Sequence, residues 1–218
     1  MSAVFDRRIV SEEALEFIRE CQRRESCHLG GGAALAGVWL RHRLSRDLDL
    51  FCHERSAVRA LASQLLDIAK SVGLRAELKR DSGGFVRASL ELGDQMLEVD
   101  LIHEALPDLE PPPPVESVLV ESLTDLRASK LTCLLSRVEP RDLVDVLFLE
   151  RAGFPAEKDL ALAVQKDAGI DPGTLAWLLR DFPVTPLPAM LLPLTPEELR
   201  EFRDDLAERL RRLSVPSG

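Results

Sequence analysis

Gly30-Gly31-Gly32-Ala33-Ala34-Leu35, followed by Arg43-Leu44-Ser45-Arg46-Asp47-Leu48-Asp49-Leu50-Phe51, is the stretch from which both the fold and the chemistry of this chain are read. From Asp47 to Cys52 polar and apolar residues alternate, the period of a strand with one covered face. Asp47 and Asp49 therefore project together, and Leu48 and Leu50 project to the other side. Two carboxylates held side by side repel each other unless cations or hydrogen bonds compensate. Hard oxygen ligands of this kind suit Mg2+ or Mn2+. Upstream, Gly31 and Gly32 let the backbone approach an anion closely. A helix expected over residues 33–41 offers its N-terminal amides to the same anion.

Working outward, Ser11 caps a first helix through about residue 24, with Leu15, Ile18 and Cys21 at helical spacing. A Leu- and Ala-rich helix is expected over 57–72 and a strand over 74–79. Asp81-Ser82-Gly83-Gly84 and Gly93-Asp94 read as turns on either side of a strand over 85–92. The next strand, 95–102, sets Leu97, Val99 and Leu101 on one face and Glu98 and Asp100 on the other. Four prolines, Pro111 to Pro114, form a stiff spacer, and the character then changes. Residues 124–137 and 141–151 read as helices broken by Glu139-Pro140, and Asp171-Pro172 and Thr195-Pro196 as helix starts. Thr195 with Glu198 forms a capping box, after which Leu199, Phe202, Leu206, Leu210 and Leu213 line one face. The expected class is α+β: a mixed sheet with flanking helices over 1–110, then a helical lobe over 115–218.

Composition limits the functions open to it. The chain has 218 residues, 45% of them hydrophobic, enough for a normal core and against disorder. A net charge of −9 excludes nucleic-acid binding by bulk charge and leaves room only for a local basic groove, near which Arg41, Arg43 and Arg46 cluster. The four cysteines show no CxxC spacing and read as reduced thiols. No signal-peptide pattern and no membrane-length apolar run is present, so a soluble cytoplasmic protein is expected. His53 and His103 lack metal-motif spacing and read as structural or solvated.

A third carboxylate is needed if two cations about 4 Å apart are to clamp attacking and leaving oxygens. Asp100, on the polar face of its strand, is the best candidate, with Glu98 beside it. Lys130, Arg137 and Arg141 supply cations for further phosphate charge. This is phosphoryl-type chemistry done by positioning and electrostatics.

The ordered set Gly31-Gly32-Ala33-Ala34-Leu35, then Arg43-x-Ser45-x-Asp47-x-Asp49, resembles the signature of the polymerase-beta-like nucleotidyltransferase superfamily. Within it the chain is similar to the AbiEii/AbiGii toxin family. A second block carries that resemblance: Asp125-Leu126-Arg127-Ala128-Ser129-Lys130-Leu131, then Arg137, then Arg141 through Leu149. One departure is Ala33 after Gly32, where many members carry serine. The resemblance spans roughly 25 to 150 and implies the nucleotidyltransferase fold. It implies that Asp47, Asp49 and Asp100 bind Mg2+ or Mn2+, with Asp100 also the base for the acceptor hydroxyl. Gly31, Gly32, Ser45, Lys130, Arg137 and Arg141 would contact the nucleotide, and Lys130 with Asp145 would complete its pocket from the helical lobe. The implied activity is transfer of a nucleoside monophosphate from an NTP to RNA, in some members to the tRNA 3′ end, by a toxin paired with a cognate antitoxin. Two alternatives stay open: a non-catalytic partner-binding protein with the same fold, and the same chemistry on a small molecule or protein.

Overall fold

The computed structural model describes residues 3–214, and the chain divides into two compact units, the first ending at Ser122 and the second beginning at Leu123. The division falls after the proline spacer rather than within 110–115. Beyond the prolines, β6 (Pro114–Val115) and β7 (Val118–Leu119) close a small hairpin, and a bridge from Leu29 to Val120 ties this segment to the first unit.

The first unit opens with α1 (Glu12–Arg24), whose Ser11 hydroxyl accepts the Ala14 amide at 3.3 Å. Then come β1 (His28–Gly30) and α2 (Gly31–Ala34), which continues as a π-helical stretch, Leu35–Leu40. The helix expected over 33–41 thus starts two residues early and widens. Gly31 at φ 60° makes the sharp entry from β1, and Arg41 at φ 53° ends the stretch in the left-handed region. β2 (Asp47–Cys52), α3 (Arg55–Ser71), β3 (Arg75–Asp81), β4 (Phe85–Leu92) and β5 (Gln95–His103) follow.

The sheet order is β1-β2-β5-β4-β3, with β2 and β5 parallel and the other neighbours antiparallel. Register sorts the side chains. Leu48 and Leu50 pair with Val99 and Leu101, which pair in turn with Ala88 and Val86. All six are buried, and α3 lies along these strands with Val58, Leu61, Leu65 and Ile68 buried. Each fully covered Leu or Ile contributes about 1.5–3 kcal/mol. The opposite face carries Asp47, Asp49, Asp100 and Arg87.

The second unit is helical: α4 (Leu123–Ser136), α5 (Pro140–Arg151), α6 (Ala156–Lys166), α7 (Pro172–Leu179) and α8 (Pro196–Ser214). The capping box forms, with the Thr195 amide donating to Glu198 Oε2 at 2.8 Å and the Glu198 amide to Thr195 Oγ1 at 3.2 Å. Leu199, Leu206 and Leu210 bury their side chains, whereas Leu213, expected on the same stripe, is 54% exposed. Among the described residues no helix is long and apolar enough to cross a membrane.

Candidate active site

Parallel pairing of β2 with β5 sets Asp47 opposite Glu98 and Asp49 opposite Asp100. Cross-strand partners share a face and stand about 4.8 Å apart, so four carboxylates from two segments gather on one side of the sheet. Asp47 and Asp49 are half-buried and Asp100 is buried.

β1 brings the glycines to the same place, since Gly30 is the partner of Asp49. A β-carbon on Gly31 would sit 1.9 Å from Asp49 Oδ2, and one on Gly32 would sit 2.9 Å from Arg43 Nη2 and 3.1 Å from Ser45 Oγ. These positions are glycine because protein side chains already fill the space a β-carbon would take. Gly31→Ala therefore forces Asp49 aside and strains a positive-φ backbone. The expected loss is about 1–3 kcal/mol of stability, read by urea denaturation, together with a marked drop in nucleotidyl transfer. Wild-type activity in this variant would show that the placement of Asp49 does not matter.

Three residues that the sequence reading left out of the site, Arg87, Glu121 and Arg43, take part in this geometry. Arg87 on β4 faces Asp100 in register and forks onto it, Nε to Oδ1 at 2.8 Å and Nη2 to Oδ2 at 2.7 Å. Asp100 accordingly holds the Arg87 pKa above its ordinary value. Burial opposes this, while the charges of Asp100, Glu98 and Asp47 add to it. The signal was available, because the Gly93-Asp94 turn pairs Leu92 with Gln95 and counting back along the hairpin reaches Arg87 and Asp100. Glu121, buried at the end of the hairpin segment, accepts the Gly31 amide at 3.1 Å through Oε2. Arg43, also buried, abuts Gly32 and donates to the Leu44 carbonyl at 3.0 Å. Ser45 Oγ lies 3.4 Å from the Asp47 carbonyl it donates to.

Within the helical unit itself, the second block forms a buried ionic network. Lys130 Nζ on α4 lies 2.8 Å from Asp145 Oδ2 and 3.4 Å from Asp142 Oδ1, both on α5. Both aspartates are fully buried, and Lys130 is 2% exposed. Arg137 adds a second cation to Asp142, Nε to Oδ2 at 3.1 Å, and Arg141 pairs with Glu139 at 2.5 Å. Asp142, in the first turn of α5, is a fully buried counter-ion to both cations.

The strand order and flanking helices make the nucleotidyltransferase fold, shared with two solved proteins of Helicobacter pylori. One, described as a candidate nucleotidyltransferase, is 22% identical, with 91% of this chain and 92% of that chain covered and a TM-score of 0.61. The other, JHP933, is also 22% identical, with 91% and 89% covered and a TM-score of 0.60. No curated protein matches the sequence. The profile of the family described as Nucleotidyl transferase AbiEii toxin, Type IV TA system, matches residues 17–215. The chain belongs to this family of type IV toxin–antitoxin systems and is a nucleotidyltransferase.

Proposed function

We propose that the enzyme transfers a nucleoside monophosphate from an NTP to an acceptor hydroxyl on RNA, the tRNA 3′ end being the first acceptor to test, and that a cognate antitoxin restrains it. The register of Asp49 with Asp100, beside a glycine at which Asp49 occupies the β-carbon space, is the observation that carries this reading. The donor set is all carboxylate oxygen on one sheet face, which fits Mg2+ or Mn2+. Asp47, Asp49 and Asp100 are the residues assigned to hold it. A bound divalent ion would neutralise phosphate charge and polarise the reacting oxygens.

The chain's own groups do the rest. Ser45 and the glycine backbone at Gly31 and Gly32 orient the triphosphate. The acceptor oxygen bonds to the α-phosphorus as the bond to the bridging oxygen breaks, pyrophosphate leaves, and Asp100 takes the hydroxyl proton. Arg87 occupies both oxygens of Asp100, so it must leave Asp100 first, drawn toward the phosphates of the substrate. From the helical unit, Lys130, Arg137 and Arg141 are assigned to the phosphates. Asp145 holds the Lys130 ammonium in place at 2.8 Å.

Labelled NTPs supplied one at a time with Mg2+ and total RNA test the proposal. Label fixed in RNA supports it. Label fixed only in protein or in a small molecule replaces the acceptor, and no label with any acceptor refutes transfer by this chain.

Arg87 offers a second test, because it stands where a cation competes for Asp100. Arg87→Gln is expected to tighten Mn2+ binding about 3- to 10-fold by removing a nearby positive charge. It is also expected to lower metal-free stability by about 1 kcal/mol, a modest amount because the arginine is 42% exposed. Calorimetric titration with Mn2+ measures the first effect, and weaker binding in the variant would mean that Arg87 supports the ion site.

A further inference from the structure

A second cluster on the same sheet face differs in kind from the carboxylates. His28 on β1 is the register partner of Phe51, which shares its face with Asp47 and Asp49. The His28 ring stacks on Phe51, with centroids 5.8 Å apart at 22°. His53 follows just past the end of β2, and its ring lies 5.9 Å from that of His28. Asp108, from the irregular segment after β5, reaches both: Oδ2 lies 2.9 Å from His53 Nε2, and Oδ1 lies 3.8 Å from His28 Nε2. One ligand atom from each of the three residues falls within 4.8 Å of the others.

The geometry points to a zinc-class cation site formed by His28, His53 and Asp108, separate from the Asp47–Asp49–Asp100 set. The donor chemistry comes first. Two imidazole nitrogens and one carboxylate suit Zn2+ or Co2+, whereas Mg2+ prefers oxygen throughout. Ligand atoms about 2.0–2.1 Å from a tetrahedral ion stand roughly 3.3 Å from one another; here one ligand atom from each residue lies within 4.8 Å of the others, so modest inward movement of the side chains would close the set on an ion.

Tautomer is the second consideration. His53 Nδ1 lies 3.2 Å from the Glu104 carbonyl. A carbonyl only accepts, so Nδ1 carries the hydrogen, and a neutral His53 turns the Nε2 lone pair toward Asp108. A carbonyl-anchored imidazole with its other nitrogen turned to a carboxylate is the supporting arrangement found around metal-bound histidines. Two acceptors facing each other at 2.9 Å require a cation between them. That cation is a proton in the metal-free protein and a metal where one is bound, and the second imidazole supplies the further ligand that only a metal would use.

The chain positions joined by the site suggest what the ion does. It would connect β1, the end of β2 and the segment leading away from β5, the strand of Asp100. Among the described residues, positions 104–113 contain no helix or strand. Three protein ligands leave a fourth position for water or an exogenous donor, on the sheet face that also carries the carboxylates.

Chelator-stripped full-length protein is titrated with ZnCl2 by calorimetry, and with CoCl2 by visible absorption, in excess Mg2+ so that the carboxylate set is saturated. One Zn2+ per chain is expected, with a tetrahedral-type Co2+ band and a thermal midpoint raised by several degrees. Affinity should fall about 10- to 100-fold in Asp108→Asn and His53→Gln and stay unchanged in Asp49→Asn. The His53 side chain is 40% exposed, so its replacement leaves the core intact and decides the matter if Asp108→Asn fails to fold. No Zn2+ uptake, or uptake lost in Asp49→Asn but kept in His53→Gln, overturns the proposal and leaves a hydrogen-bonded His53–Asp108 ion pair. The readouts are metal binding and stability, so they stand apart from the transfer reaction.

Discussion

Replacing Asp49 with asparagine is expected to lower nucleotidyl transfer on the order of 1000-fold while leaving the fold intact. Asparagine keeps the volume of the side chain, so the fit against Gly31 survives. What disappears is one negative charge from a group of four that share a sheet face. Removing it weakens any divalent ion held there and the phosphate geometry organised around it. In the metal-free protein the same change relieves repulsion between neighbouring carboxylates, so the thermal midpoint should hold steady or rise slightly. Initial rates with labelled NTP and the melting curve together separate the two effects. Full activity with an unaltered midpoint would place the reacting phosphate elsewhere in the molecule.

Replacing Lys130 with methionine is expected to give the largest loss of stability, about 3–5 kcal/mol. The ammonium lies 2.8 Å from Asp145 Oδ2, and it also reaches Asp142. Methionine matches the length of the stem but leaves Asp145 fully buried with a charge to accommodate. Asp142 is less affected because Arg137 still reaches it at 3.1 Å. The double variant Lys130→Met with Asp145→Leu should therefore recover most of the loss, since both ends of that pair become apolar. Urea denaturation of the wild type and the three variants completes the cycle. A single-variant loss under about 1 kcal/mol would class the pair with solvent-screened surface bridges.

Local period and turn chemistry made much of the first unit legible. The strands expected at 47–52 and 85–92 have those bounds in the structure, because alternation and flanking turns mark both ends. The capping residues at Ser11 and Thr195 act as their sequence context implied. Shorter or less regular pieces escaped. β1 has three residues, all buried, too few to show a period. α6 buries Ala156, Asp159 and Ala163, so it has no strong apolar stripe to announce it. The π-helical stretch after Ala34 follows from a glycine entry and a left-handed exit that hydropathy does not encode.

The same division applies to the site. Asp47 and Asp49 stand out because their relation is local, i to i+2. The fork of Arg87 on Asp100, the Glu121 bond to Gly31 and the burial of Asp142 arise from partners distant in sequence. His53 read as a solvated or structural residue for the same reason: its partners, His28 and Asp108, lie 25 and 55 residues away along the chain.

The side-by-side placement of β2 and β5 bears on the order in which a ribosome releases this chain. A nascent polypeptide that has emerged only as far as α3 displays Asp47 and Asp49 but has nothing to set beside them on that edge. Closing a connection of this length carries an entropic cost that is repaid only once the later strand docks. Translation that stops before Gln95 would yield a fragment that lacks Glu98 and Asp100, the register partners of Asp47 and Asp49.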